Sequence, residues 1–171
     1  MEIRGKSPCI SVGSASRAFH GRLTGFTTEG LTLMELPANL GRIDTLLNPW
    51  RPVIGAAFEG YRNHVVRMAC FCQLLEPCDA IEQQKIEIAA CFHDIGIWTA
   101  GTLDYLPPSA AVAREYLGAN ALEAWSDEIA RMIVTHHKLR PATDEASALV
   151  ELFRKGDLVD LSIGLVKFGL P

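Results

Sequence analysis

The sequence predicts an all-α domain, and three observations carry that prediction. Apolar residues recur at a helical period in four stretches of the chain; Pro, Gly and capping residues bracket those stretches; and strand-like alternation is weak and confined to residues 21–33. A length of 171 residues suits one domain with a well-buried core, and 49% hydrophobic with 21% charged residues is a globular composition. The mean hydropathy of +0.14 lies far from that of disordered chains.

Taken in order, residues 1–52 read as an irregular N-terminal wrap and residues 53–171 as a single helical bundle, together one structural domain. The first thirty positions are rich in Gly, Ser and Thr, with a short hairpin expected over 21–33. Pro37, Pro49 and Pro52 punctuate the approach to the bundle, leaving a short helical piece over 38–47. After Gly60, His64, Met68, Phe71 and Leu75 fall on one helical stripe that Pro77 terminates. Asp79 followed by Glu82 has the form of a capping box opening the next helix, which aligns Ile86, Ala90 and His93 and is expected to end with Gly96 at C′. His93 and Asp94 then occupy its last turn.

Pro107, Pro108 and Ser109 start a further helix, expected to close at Gly118. Ser126, with Asp127 and Glu128 behind it, is expected to cap a helix carrying Ile129, Met132, Ile133 and His136. A last stripe runs Ala146, Leu149, Val150, Phe153 and Asp157, with Gly156 thinning the helix beside the aspartate. The ending Gly169-Leu170-Pro171 follows an apolar stretch without a polar cap, from which a native chain longer than Pro171 is expected.

Bulk properties exclude several classes. A net charge of −4 provides no broad basic field for a nucleic acid polymer, so a small substrate is favoured. No apolar run approaches the roughly 20 residues of a membrane helix, and the N-terminus lacks the apolar core of a signal peptide, so a cytoplasmic protein is expected. The cysteines Cys9, Cys70, Cys72, Cys78 and Cys91 are odd in number and lack CxxC spacing, against both a disulfide framework and a structural zinc. His20 fits no stripe, and Trp50, Trp98 and Trp125 read as core or wall.

Four helices therefore each present His or Asp on an apolar face, where isolated charges are costly. Singly, each is explained by a private partner: a carbonyl for a histidine, a cap or an arginine for an aspartate. Asp94 fits that account worst, because a carboxylate in the last turn faces the negative end of the helix dipole, and a nearby cation would reverse the penalty. Imidazole with carboxylate suits manganese, iron, cobalt, nickel or zinc.

This order of residues resembles the HD superfamily of metal-dependent phosphohydrolases: His64 in Tyr-Arg-Asn-His-Val, His93-Asp94 in Cys-Phe-His-Asp-Ile-Gly, and Asp157 in Arg-Lys-Gly-Asp-Leu-Val-Asp. The resemblance implies an HD-type helical bundle in which His64, His93, Asp94 and Asp157 hold one divalent ion, which acidifies a water for attack on phosphorus. Asp94 is the expected catalytic residue, orienting that water or bridging to a second ion held partly by His136. Two-metal members add a histidine where this chain has Pro108 or Ser109, which counts against a second ion. The position just after the motif, acidic or lysine in known subfamilies, holds Ile97, so their substrates do not transfer.

Among the basic residues Lys138, Arg140, Arg154 and Lys155, Lys138 is the expected substrate contact together with His137, and at least two of the four read as a solvated face. Arg62 is set aside because its spacing from His64 places it on another face. Asp160 is the expected outer partner of a ligating histidine, with a surface carboxylate as the even alternative. The expected substrate is small and phosphorylated or nucleotide-like. Two alternatives stay open: an iron oxygenase or metal-dependent hydratase or lyase on the same ligands, and a non-catalytic nucleotide sensor. Self-association through the apolar N-terminal segment or residues 161–170 is also expected.

Overall fold

The computed structural model describes residues 38–141 and 147–171. The 21–33 hairpin, His20, Cys9 and Ala146 lie outside the described residues. Among those described there is no strand, and no helix is long and apolar enough to cross a membrane. The fold is all-α, as the stripes predict.

The expected helical piece is α1 (Leu40–Leu47), where the Asn39 side chain accepts a hydrogen bond from the Arg42 N–H. A 3₁₀ turn (Asn48–Trp50) and α2 (Arg51–Ile54) follow, each with a proline in its first turn. Helix α3 (Phe58–Leu75) stops before Pro77, and α4 (Ala80–Phe92) opens with the expected Asp79/Glu82 capping box. Helix α4 is central: it packs against α1, α3, α6, α7 and α8. Its residues Ile86, Glu87, Ile88, Ala89, Ala90, Cys91 and Phe92 are all buried, so its second half has no solvent face.

After α5 (Gly96–Thr99) come α6 (Leu106–Ala119), α7 (Ser126–Thr135) and α8 (Ala148–Leu161). Helix α8 packs along α3, and α7 lies against α4, α6 and α8. Val65, Met68, Phe92, Ile129, Ile133 and Phe153 are among the residues of the common core.

Four local expectations are corrected. Gly96 is not a C′ residue; it opens α5 and is buried, and a Cβ there would lie 2.3 Å from the Tyr105 carbonyl oxygen. Helix α6 runs through Gly118, and Ala121 takes the left-handed turn at φ 56°, with the Leu122 N–H bonded to the Leu117 carbonyl. Ser126 lies inside α7, whose N-cap is Trp125 without a side-chain cap. The buried face of α3 is centred on Phe58, Tyr61, Val65, Met68, Ala69 and Cys72, which puts His64 and Phe71 at its edge.

Candidate metal centre

Two helix C-termini meet at the site. His93 is the C-cap of α4 and His136 the C-cap of α7. Carbonyls in a last helical turn lack amide partners four residues on, and both histidines use one: His93 Nδ1 lies 2.7 Å from the Ala90 oxygen, His136 Nδ1 2.6 Å from the Ile133 oxygen. The Tyr61 hydroxyl donates to the Cys91 oxygen at 3.0 Å and so engages another α4 carbonyl. His64 comes from the body of α3 and has a carboxylate instead, Asp160 Oδ2 at 2.6 Å from its Nδ1.

A carbonyl or carboxylate oxygen only accepts, so each Nδ1 carries a proton and each ring turns its Nε2 inward. His64 Nε2 and His93 Nε2 stand 3.0 Å apart. Asp94 Oδ2 is 3.1 Å from His93 Nε2, and Asp94 Oδ1 is 3.5 Å from His136 Nε2. Asp157 Oδ1 lies 3.6 Å from His64 Nε2 and 4.0 Å from His93 Nε2. The structure thus brings His64, His93, Asp94, Asp157 and His136 together, with Asp157 set slightly further back.

Burial decides the energetics. His93 and His136 are fully buried, Asp157 nearly so, and the Asp94 side chain retains 17% exposure. Asp94 Oδ1, His136 Nε2 and Asp157 Oδ2 are buried without a hydrogen-bond partner. Each such orphan costs about 1–3 kcal/mol, more when charged, and two of them, Asp94 Oδ1 and His136 Nε2, face each other. Burial works to raise the Asp94 carboxyl, but His93 and His136 hold it well below the usual carboxylate range. His64 is raised above its ordinary value: burial opposes its charged form, and Asp160 and Asp157 outweigh burial. The cluster is built to attract positive charge.

A divalent cation fits these donors. His64, His93 and Asp94 offer ligand atoms within 4.8 Å of one another, and so do Asp94, His136 and His137. Asp94 belongs to both groups, one oxygen toward each helix terminus. Nitrogen and carboxylate donors without a thiolate match borderline ions.

His137 is exposed, and its Nε2 lies 3.1 Å from the Tyr105 hydroxyl. Burial and then the neighbouring His136 lower its pKa. Burial and the Asp94 charge push the Tyr105 hydroxyl up, which keeps its proton in place. Lys138 is exposed. Arg154 is buried, and its guanidinium bonds both Glu151 oxygens and the Lys138 carbonyl, so it is committed to structure. Arg62 is likewise committed, to Asp44 on α1. Ser109, where a further histidine was sought, accepts the Gly96 N–H at 2.9 Å. Trp98 packs at a tilt against Tyr61, whose ring lies over His93 with centroids 5.9 Å apart.

Sequence reasoning missed Tyr61, Tyr105 and Arg67. Tyr61 and Arg67 flank His64 at three residues on either side, a spacing that puts them on its face of α3 and that was readable. Tyr105 precedes α6 and meets His137 only through the tertiary fold.

The sequence matches the HD domain family over residues 61–161, more than half of the chain, and the protein belongs to that family, whose members are generally metal-dependent phosphohydrolases. No curated protein and no solved structure matches it.

Proposed function

We propose that this protein is a cytoplasmic phosphohydrolase acting on a small phosphorylated or nucleotide-like substrate. In this reading His64, His93, Asp94 and Asp157 hold one manganese, iron, cobalt, nickel or zinc ion, with His136 as a further ligand. The observation that carries it is that one Asp94 oxygen meets the Nε2 atoms of His64 and His93 while the other faces His136 Nε2, beside buried Asp94 and Asp157 oxygens without a protein donor. A divalent ion there supplies Lewis acidity, lowering the pKa of a water from 15.7 toward about 7 and countering phosphoryl charge.

The chain's own residues do the rest. Asp94 presents an unpaired acceptor oxygen that orients the attacking water and takes its hydrogen bond. His137 and the Tyr105 hydroxyl form an exposed polar pair that contacts phosphoryl oxygens, and Lys138 adds one positive charge at the mouth. Tyr61 and Trp98 wall the site with rings that exclude water behind His93. With Ile97 where some subfamilies carry an acid and others a lysine, this position supplies no proton, and the leaving group is protonated from solvent at the open mouth. Self-association through residues 161–170 is part of the proposal, supported by the exposure of Ile163, Leu165 and Phe168.

A second reading has its own observation: the Asp94, His136 and His137 group offers a second cation position, as a two-iron oxygenase requires. Elemental analysis of the purified protein, followed by a panel of phosphate esters, separates the two. One or two ions per chain with phosphate release supports hydrolysis. Two irons with oxygen consumption and no phosphate release supports the oxygenase, and a chain that takes up no ion after supplementation refutes both.

A further inference from the structure

We infer that Arg67 is a positioning residue for the metal ligand His64, acting through Asp160; the inference rests on the metal reading above. The three histidines of the site are oriented in two different ways. His93 and His136 lean on carbonyls of their own helices, which the backbone holds in place. His64, inside α3, depends on a side chain of α8. A carboxylate on two rotatable bonds is a poor fixture unless something fixes it in turn.

Arg67 supplies that. Its Nε donates to Asp160 Oδ1 at 2.6 Å and its Nη2 to Oδ2 at 2.9 Å, a two-point fork that sets the carboxylate plane. Oδ2 then receives the His64 Nδ1–H. Asp157 and Asp160 lie three residues apart on α8, one facing His64 Nε2 and the other His64 Nδ1, so the ring is clamped across its width. His64 and Arg67 are three apart on α3, so one face of each helix makes the whole clamp.

The placement of Arg67 makes it testable. Its side chain is 54% exposed and lines a cavity of about 370 Å³ with Phe71, Val159, Asp160, Ile163 and Gly164. Replacing it opens no void in the core, so variants should fold. A merely structural tie between α3 and α8 would change stability alone, whereas a positioning role changes affinity for the ion. Lysine would keep the charge and lose the fork.

The experiment is a Co²⁺ titration against a competing chelator on the full chain, with the visible Co²⁺ absorption recorded and the metal-free melting temperature measured alongside. The proteins are the parent, Arg67→Gln, Arg67→Lys and Asp160→Asn. Outer partners of ligands cost roughly 10–100-fold when removed, which is expected for Asp160→Asn; one step further out, Arg67→Gln should weaken Co²⁺ roughly threefold to tenfold and alter the absorption. Arg67→Lys should fall between Arg67→Gln and the parent. Parental affinity and absorption in Arg67→Gln, whatever its melting temperature, overturns the inference and leaves the metal reading standing. A parent that binds no Co²⁺ overturns the metal reading itself, and the inference with it.

Discussion

Helix α4 and the turn that follows it carry two carboxylates seven positions apart, Glu87 buried and Asp94 partly so, and their surroundings are opposite. Glu87 is fully buried and satisfied by protein donors: Asn39 N–H and the Gln83 side chain on one oxygen, Arg42 on the other, at 2.7 to 3.1 Å. Asp94 keeps an orphaned oxygen aimed at a histidine that is itself orphaned. Both stretches belong to the same core and faced the same demand that buried charge be paired. At Glu87 the chain met it with its own donors and fastened α1 to α4. At Asp94 it did not, and the unmet demand marks a place for a cation.

Removing each carboxylate should therefore do different things. Asp94→Ala should abolish metal retention and lower phosphate-ester hydrolysis by more than about a hundredfold, beyond the range of an outer partner. Its metal-free melting temperature should change little, because the loss of the His93 contact is offset by removal of a buried oxygen that has no hydrogen-bond partner. Severe unfolding of that variant would put Asp94 in the same class as Glu87 and erase the contrast. Glu87→Ala should lose about 3 kcal/mol in denaturant unfolding, the lower end for breaking a buried pair, since Arg42 is partly exposed and can turn to water. Its metal affinity should stay parental; a matching loss there would join the two regions energetically.

A saturating ion sharpens the comparison from the other side. At a free concentration 100 times Kd, it should stabilise the parent by about 2.7 kcal/mol. Calorimetry should show the melting temperature rising in the parent and in Glu87→Ala, and not in Asp94→Ala.

The smallest effect concerns a third carboxylate at the edge of the core. Burial tends to raise the pKa of Glu128, but Lys85 and Ser147 hold it below its ordinary value of 4.5. A depressed folded-state value gives stability that is present above pH 4.5 and lost as pH falls through the lowered value. Glu128→Gln should remove that part of the acid sensitivity, worth a few tenths of a kcal/mol at so exposed a pair, in urea unfolding repeated across pH 3 to 6. An unchanged pH profile would remove Glu128 from the series.

The sequence made the cluster legible where its residues obey helix periodicity. His64, His93, His136 and Asp157 each stand on or beside an apolar stripe, and Asp94 betrayed itself by its place at a negative helix end. Asp160 was readable only as an even choice, because the distance from α8 to His64 has no local signature. The role of Gly96 was misread for a related reason. A glycine after a helix looks like a cap, yet here it admits the Tyr105 carbonyl, which the fold brings back from nine residues further along the chain. Tyr105 itself was invisible, since its meeting with His137 is set by how α6 docks on α7.

Gly156 has a consequence for the proposed ion. A Cβ at that position would lie 2.4 Å from Cys72 Sγ and 3.2 Å from the Met68 carbonyl oxygen, so α8 can approach α3 this closely only with a hydrogen there. Asp157 is the next residue and faces His64 across that gap. Metal–ligand distances are held to within about 0.2 Å, so with an ion held as proposed the spacing of the two helices would act as a gauge for ionic radius. A single methyl group on the dry side of α8 would reset the gauge without touching any ligand, and the choice among manganese, iron, cobalt, nickel and zinc would then be written partly in the packing.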